Sequence, residues 1–172
     1  MAQESENTIL SGIQSSGKLH YGNYFGAMRQ HLQLQHEGDA FYFIANYHSL
    51  TSVRNGEEHR QFTLDVALDY LALGLDPRKC TFFAQSDVPQ VLELAWMLGT
   101  LTPVSLMEKA VAYKDKVQQG LGANIGLFTY PILQAADILI YNSDLVPVGA
   151  DQKQNIEISR DLASKFNHLY DG

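Results

Sequence analysis

Apolar and polar positions change period several times along the chain, and each change marks an element. Residues 7–13, "NTILSGI", alternate and lean towards β-structure, with Gly12 as a stop. Residues 40–46, "AFYFIAN", are a continuous apolar run of strand length, the pattern of a strand covered on both faces. "CTFFAQS" (80–86) and "LVPVGA" (145–150) predict a third and a fourth strand. Between them the period lengthens. In "HYGNYFGAMRQHLQLQHEG", Tyr24, Ala27, Met28, Leu32 and Leu34 follow a helical repeat, and Gly38 ends it. "GEEHRQFTLDVALDYLALGLDP" sets Phe62, Val66, Tyr70 and Leu73 at helical spacing, with acids in its first turn and Gly74 and Pro77 beyond. "DVPQVLELAWMLGTLTP" predicts a helix closed by Gly99 and Pro103, and "SLMEKAVAYKDKVQQG" a shorter amphipathic one. "NIGLFTYPILQAADILIYNS" predicts a long, mostly buried helix with Pro131 inside, and "DQKQNIEISRDLASKFNHLY" the last helix.

Strand and helix alternate throughout, which predicts an α/β domain: a parallel sheet joined by crossover helices. No repeat, low-complexity tract or linker interrupts residues 1–172, so one domain is expected. Ligands of such sheets sit beyond the carboxyl ends of the strands, where strand order reverses. The small and polar segments fall there: "SGIQSSGKLHYGN", "NYHSLT", "QSDVP" and "GADQKQN" each follow one expected strand.

Composition narrows the class. The chain has 172 residues, 45% hydrophobic and 18% charged, enough for a proper core. Its net charge of −7 and scattered cations exclude a broad electrostatic grip on nucleic acid by this chain alone. No apolar run approaches the roughly 20 residues of a membrane span, and "MAQESEN" is the opposite of a secretory signal. One cysteine, Cys80, excludes an internal disulfide and fits a reducing cytoplasm. Cys80 beside Phe82 and Phe83 is expected to be buried and inert, and Trp96, Met97 and Leu98 to be core or dimer interface. No His/Cys/Asp/Glu grouping has metal-ligand spacing, and no nucleophile elbow occurs.

The candidate chemistry begins at "SGIQSSG". A Gly/Ser turn between a strand and a helix N-terminus lets backbone N–H groups approach a phosphate, although such a turn can equally be only a turn. It is neither a dinucleotide fingerprint nor a P-loop, because neither spacing is present. His20, Gly22 and Asn23 at the first helical turn add more. A lone histidine there would be a satisfied core or cap residue, but beside two glycines at a strand–helix turn it points to a ligand at the helix start. Gly26, a turn later, is expected to let the helix pack closely on the sheet. On the long helix, Tyr130, Gln134 and Asp137 fall at i, i+4 and i+7, one face. A carboxylate on an otherwise apolar face is costly unless a donor meets it. The set reads either as a pocket or as an internal hydrogen-bond network. Asp151 can accept from ribose hydroxyls or cap the last helix.

The His-x-Gly-x pattern after a Gly/Ser loop resembles the ATP signature of class I aminoacyl-tRNA synthetases. "SGIQSSGKLHYGNYFGAMRQ" and "GLFTYPILQAADILIYNSDLVPVGADQKQNIEISRDLASKFN" resemble the bacterial tryptophanyl-tRNA synthetases, the likeness running from about Thr8 to Tyr170. The fold this implies is a Rossmann-like nucleotide-binding domain, with a parallel sheet and crossover helices on both faces. The implied activity is ATP-dependent activation of L-tryptophan to tryptophanyl-adenylate and transfer to tRNA(Trp), in a cytoplasmic homodimer. Carried over by motif, ATP would meet Gln14, Ser15, Ser16, His20, Gly22, Asn23, Gly149, Ala150 and Asp151. His20 and Asn23 would be catalytic, with Mg²⁺ arriving on the ATP and no protein-held metal. Asp137 would accept the indole N–H, Tyr130 and Gln152 would hold the amino and carboxylate groups, and Gln134 and His48 would line the same pocket.

Three departures from that pattern carry alternatives. Gln134 stands where bacterial tryptophan enzymes usually have Met, as in the eukaryotic tryptophan enzymes and the tyrosyl-tRNA synthetases, which leaves tyrosine as an alternative substrate. "ANYHSLTS" replaces the usual Asp-Gln-His-Ala version, the mark of a divergent subgroup. The family's Lys-Met-Ser-Lys-Ser loop and helical anticodon-binding domain do not occur within the 172 residues. An N-terminal catalytic-domain fragment is therefore expected, limited to ligand binding or weak activity. A truncated paralogue acting as an amino-acid or adenylate sensor is the alternative.

Overall fold

The computed structural model describes residues 7–108 and 124–170. Beyond Glu108, the amphipathic helix expected over 105–120 lies outside the described residues. The chain groups into two compact units. One runs to Val88 and takes in Tyr141–Gly149; the other takes Pro89–Ile140 and the residues from Ala150 onward.

The first unit is built on a parallel sheet in the order β1 (Thr8–Ile13), β2 (Asp39–Ile44), β3 (Thr81–Ala84). Side chains alternate across it. Ile9, Ile13, Ala40, Tyr42 and Ile44 face one side and close a core with Met28, Val66, Tyr70, Leu75 and Cys80. That core draws on both crossovers. The first runs through α1 (Tyr21–Asn23), a π-helical turn at Tyr24–Met28 and α2 (Arg29–Leu34); the second through α3 (Asn46–Ser49) and α4 (Gly56–Ala72). Asn55 starts α4 by accepting from the N–H groups of Glu57 and Glu58, whose carboxylates complement the helix N-terminus. On the opposite sheet face, Tyr141 lays its ring against Phe41 and Phe83, centroids 5.6 and 5.7 Å away. Gly12 is required there: a Cβ on it would stand 2.6 Å from the Phe43 ring. Cys80 is buried, as expected, and burial with the nearby Asp76 charge pushes its thiol up, away from the reactive thiolate.

Two sequence expectations need correction. Residues 145–150 do not form a strand. Leu145 makes one parallel bridge to Ile9, donating to Thr8 O and accepting from Leu10 N–H, and the ladder stops. The next inward position of the ladder is Pro147, which has no N–H to give. The Ser11 hydroxyl instead donates to the Pro147 carbonyl, 3.0 Å away. Gly26 does not pack on the sheet either: it is exposed within the π-helical turn, and a Cβ there would meet nothing within 4 Å.

The second unit is helical: α5 (Gln90–Leu101), α6 (Val104–Met107), α7 (Ile125–Leu139), a 3-10 turn (Ala150–Gln152) and α8 (Lys153–Tyr170). Asn124 caps α7 by accepting from Leu127 N–H. Ala135 and Ala136, both 0% exposed, let neighbouring elements approach α7 closely. Asn155, Ile158, Ser159 and Leu162 form the buried stripe of α8, at the spacing of a single helix face. Burying Leu162 alone is worth about 1.5–3 kcal/mol. Among the described residues, no helix is long and apolar enough to cross a membrane.

Candidate functional site

In the first unit, strand order reverses between β1 and the Leu145 segment, since both β2 and Leu145 flank β1. Beyond that point of β1 lie Gln14, Ser15 and Ser16, and the Leu145 segment continues to the exposed Gly149. This is the crevice in which α/β sheets hold ligands.

His20 is the N-cap of α1, in extended conformation. Its Nδ1 accepts the Gly22 N–H at 3.0 Å, and its own N–H donates to Asn23 Oδ1 at 3.0 Å, a reciprocal capping box. An Nδ1 that accepts leaves the proton of neutral imidazole on Nε2. The exposed His20 ring therefore offers Nε2–H as a donor beside a helix N-terminus. A Cβ on Gly22 would lie 2.8 Å from the ring, so Gly22 makes room for His20 itself. Ser15 is wholly buried, and its hydroxyl meets those of Ser49 and Thr63, each at 3.3 Å. Its side chain is turned inward, whereas the Gln14 and Ser16 positions are exposed. Gln14 Nε2 donates to the carbonyl of His48 on α3. Asn46, the first residue of α3, exchanges bonds with Ser86, while Tyr47 N–H donates to Gln85 Oε1. These tie the segments after β2 and β3 together and hold His48 half-buried next to the first loop.

In the second unit, Tyr130, Gln134 and Asp137 do share one face of α7, with Asp137 only 3% exposed. Gln134 and Tyr130 meet Gln152 and Asn155 in a carboxamide cluster. Asn155 Nδ2 donates to Gln134 Oε1 and Gln152 Oε1 at 2.9 Å and to Tyr130 Oη at 3.3 Å. Gln134 Nε2 donates to Gln152 Oε1 at 3.3 Å, and Gln152 Nε2 to Asp151 Oδ2 at 2.8 Å. Ala150 and Asp151 are exposed in the 3-10 turn, with Gln152 between Asp151 and α8. Asn155 is absent from the sequence-derived set; its place three residues after Gln152, on the same helix face, was the available signal.

The first unit thus offers a donor-rich helix start after β1, and the second, by itself, holds a buried carboxylate and an amide cluster between α7 and the start of α8. A family model described as "tRNA synthetases class I (W and Y)" matches residues 2–171, and the chain belongs to that family. More particularly, it is 59% identical over 161 residues to the tryptophan–tRNA ligase of Fusobacterium nucleatum, a match covering 94% of this chain and 50% of that protein. A crystal structure of tryptophanyl-tRNA synthetase from Campylobacter jejuni, complexed with ADP and tryptophan, matches at 52% identity and a TM-score of 0.89, over 94% of this chain and 50% of that one. The enzyme from Mycoplasma pneumoniae matches at 36% identity and a TM-score of 0.92, over 96% of this chain and 50% of that one. The α/β, Rossmann-like class I fold follows. The chain spans about half the length of the curated relatives it matches.

Proposed function

We propose that the chain is the catalytic part of a tryptophan–tRNA ligase, acting in the cytoplasm as a homodimer. The observation that carries this is the identity to named tryptophan–tRNA ligases, 59% and 56%, along 94% of the chain. ATP is held by the exposed Gln14 and Ser16, the Ser15 backbone, the α1 start at His20, Gly22 and Asn23, and by Gly149, Ala150 and Asp151 at the ribose. Mg²⁺ arrives on the triphosphate. Tryptophan is read by Asp137, which accepts the indole N–H, and by Tyr130, Gln134, Gln152 and His48.

The chemistry needs no protein nucleophile. A carboxylate oxygen of tryptophan bonds to the α-phosphorus of ATP, the bond from that phosphorus to the bridging oxygen breaks, and pyrophosphate leaves. His20 Nε2–H donates to oxygens that gain charge in that step; the N-terminus of α1 adds its partial positive charge. A terminal hydroxyl of tRNA(Trp) then attacks the acyl carbon, passes its proton to solvent, and AMP leaves.

Tyrosine is the second reading, favoured by Gln134, because a phenol hydroxyl can also donate to Asp137. Calorimetry with tryptophan, tyrosine and a non-hydrolysable ATP analogue tests both. Tryptophan is expected to bind at least tenfold tighter than tyrosine. Asp137→Ala should lower the affinity for tryptophan at least about tenfold, since it removes the carboxylate that accepts the indole N–H. Tighter binding of tyrosine would sink the substrate assignment, and unchanged affinity in Asp137→Ala would sink the role of the carboxylate.

A further inference from the structure

Asn155 closes the "GADQKQN" segment without a ligand role of its own, yet it is 4% exposed and its amide meets three residues assigned above to the amino acid. A carboxamide NH₂ has two hydrogens. The two 2.9 Å bonds to Gln134 Oε1 and Gln152 Oε1 engage both, leaving the 3.3 Å approach to Tyr130 Oη as the shared, weaker contact. Each glutamine must therefore turn its oxygen towards Asn155.

The bonds then run in one direction. Gln134 Nε2 donates onward to Gln152 Oε1, and Gln152 Nε2 donates onward to Asp151 Oδ2. Gln152 Oε1 has received two donors, so both of its lone pairs are engaged. Each glutamine has spent one of its two N–H groups inside the cluster and keeps the other. What Gln152 can offer a ligand is an N–H donor and no acceptor.

We infer that Asn155 is a positioning residue that sets the polarity of this cluster, so that Gln134 and Gln152 meet the α-carboxylate of the substrate as N–H donors. This rests on the amino-acid reading above and refines it, assigning both glutamines to the carboxylate. A donor of fixed direction costs no reorganisation when that carboxylate takes its attacking position. Were the amides free to turn over, half of their orientations would set an oxygen against the carboxylate.

Asn155→Asp tests this with almost no change of shape. It replaces the donating NH₂ by an acceptor facing two glutamine oxygens, so both amides must turn over. Affinity for L-tryptophan is expected to fall at least about tenfold, the cost of mismatching a buried polar group. Tryptamine, which has the ring and the amine but no carboxylate, should change by less than about threefold in the same calorimetric series. Equal losses for the two ligands, or none for either, would overturn the inference, because a purely structural Asn155 predicts parallel effects. Failure of the wild-type protein to bind tryptophan would instead count against the amino-acid reading. In either case a ligand-free measurement decides the polarity. Couplings across the hydrogen bonds from Asn155 Nδ2 to the side-chain carbonyl carbons of Gln134 and Gln152 are expected in ¹³C,¹⁵N-labelled wild-type protein. Their absence, with rapid exchange of the Asn155 amide protons, would overturn it.

Discussion

His20, Gly22 and Asn23 show how one short motif serves the fold before any ligand arrives. The sequence accounts for Gly22 by a ligand lying on the helix start; the structure adds an internal occupant, the His20 ring, 2.8 Å from where a Cβ would stand. Gly22→Ala should therefore displace the ring and break the cap, lowering stability by about 1 kcal/mol and weakening binding of a non-hydrolysable ATP analogue. Gly26→Ala is the control: its surroundings are open, so it should stabilise the protein by about 0.5–1 kcal/mol and leave that affinity unchanged. Urea unfolding and calorimetry on the two variants check both statements, and equal behaviour would mean that the His20 seat is not needed. At this scale the residue types were legible, because a histidine ahead of a glycine at a strand–helix turn is unusual. The placement of Ser15 and Asn155 was not. A serine in a polar loop gives no sign that its hydroxyl turns inward, and Asn155 acquires its role only when α7 lies beside α8.

Elements with local signals matched their expected spans closely. α4 keeps the acidic first turn read from the sequence, and the structure adds Asn55 and Asn124 as the caps of α4 and α7, all acting within a few residues of the helix start. The fourth strand failed because ladder bonds are non-local and Pro147 cannot supply one; a proline within an apolar run was the warning. The π-helical turn at Tyr24–Met28 has no counterpart in the apolar spacing, since inserting one residue per turn disturbs the pattern only slightly. Among the described residues, α5 carries several exposed apolar side chains. Trp96 is 77% exposed, with Leu92, Met97 and Val104 of α6 also open, although an unpaired tryptophan on a monomer surface is unfavourable. A second copy of the chain is the occupant consistent with the proposed homodimer. Trp96→Ala is then expected to weaken dimerisation by about 2 kcal/mol or more, the scale of a central aromatic anchor. Sedimentation across a concentration series measures it, and an unaltered association constant would remove α5 from the interface.

For the molecule as a whole, the most consequential buried polar group is His31, in the core of the first unit. It is 1% exposed, stacks on Tyr42 with ring centroids 4.9 Å apart, and shares a 2.6 Å hydrogen bond through Nδ1 with the Tyr70 hydroxyl. Burial pulls its pKa from 6.5 down to about 4 and pushes those of Tyr42 and Tyr70 well up. Between those two pH values the unfolded chain binds the proton that the folded chain refuses, so stability rises with pH across that window. The contribution is complete above about pH 7 and is lost as pH falls towards 4, by about 3 kcal/mol in all. Urea unfolding from pH 4.5 to 7.5 should show this slope, and His31→Gln should flatten it; an equal slope in the variant would acquit His31. By itself the amino-acid sequence determined the α/β alternation, the helix ends marked by acids, glycines and prolines, and the family. Each of those depends on chemistry within a turn or two of chain, or on motifs read along it. Tertiary structure alone decided that His31 stays neutral, that the ladder ends at Leu145, that His20 fills the space above Gly22 and that Asn155 orients two glutamines. Desolvation and hydrogen-bond direction depend on which groups meet in space, and neither distance along the chain nor residue type records that.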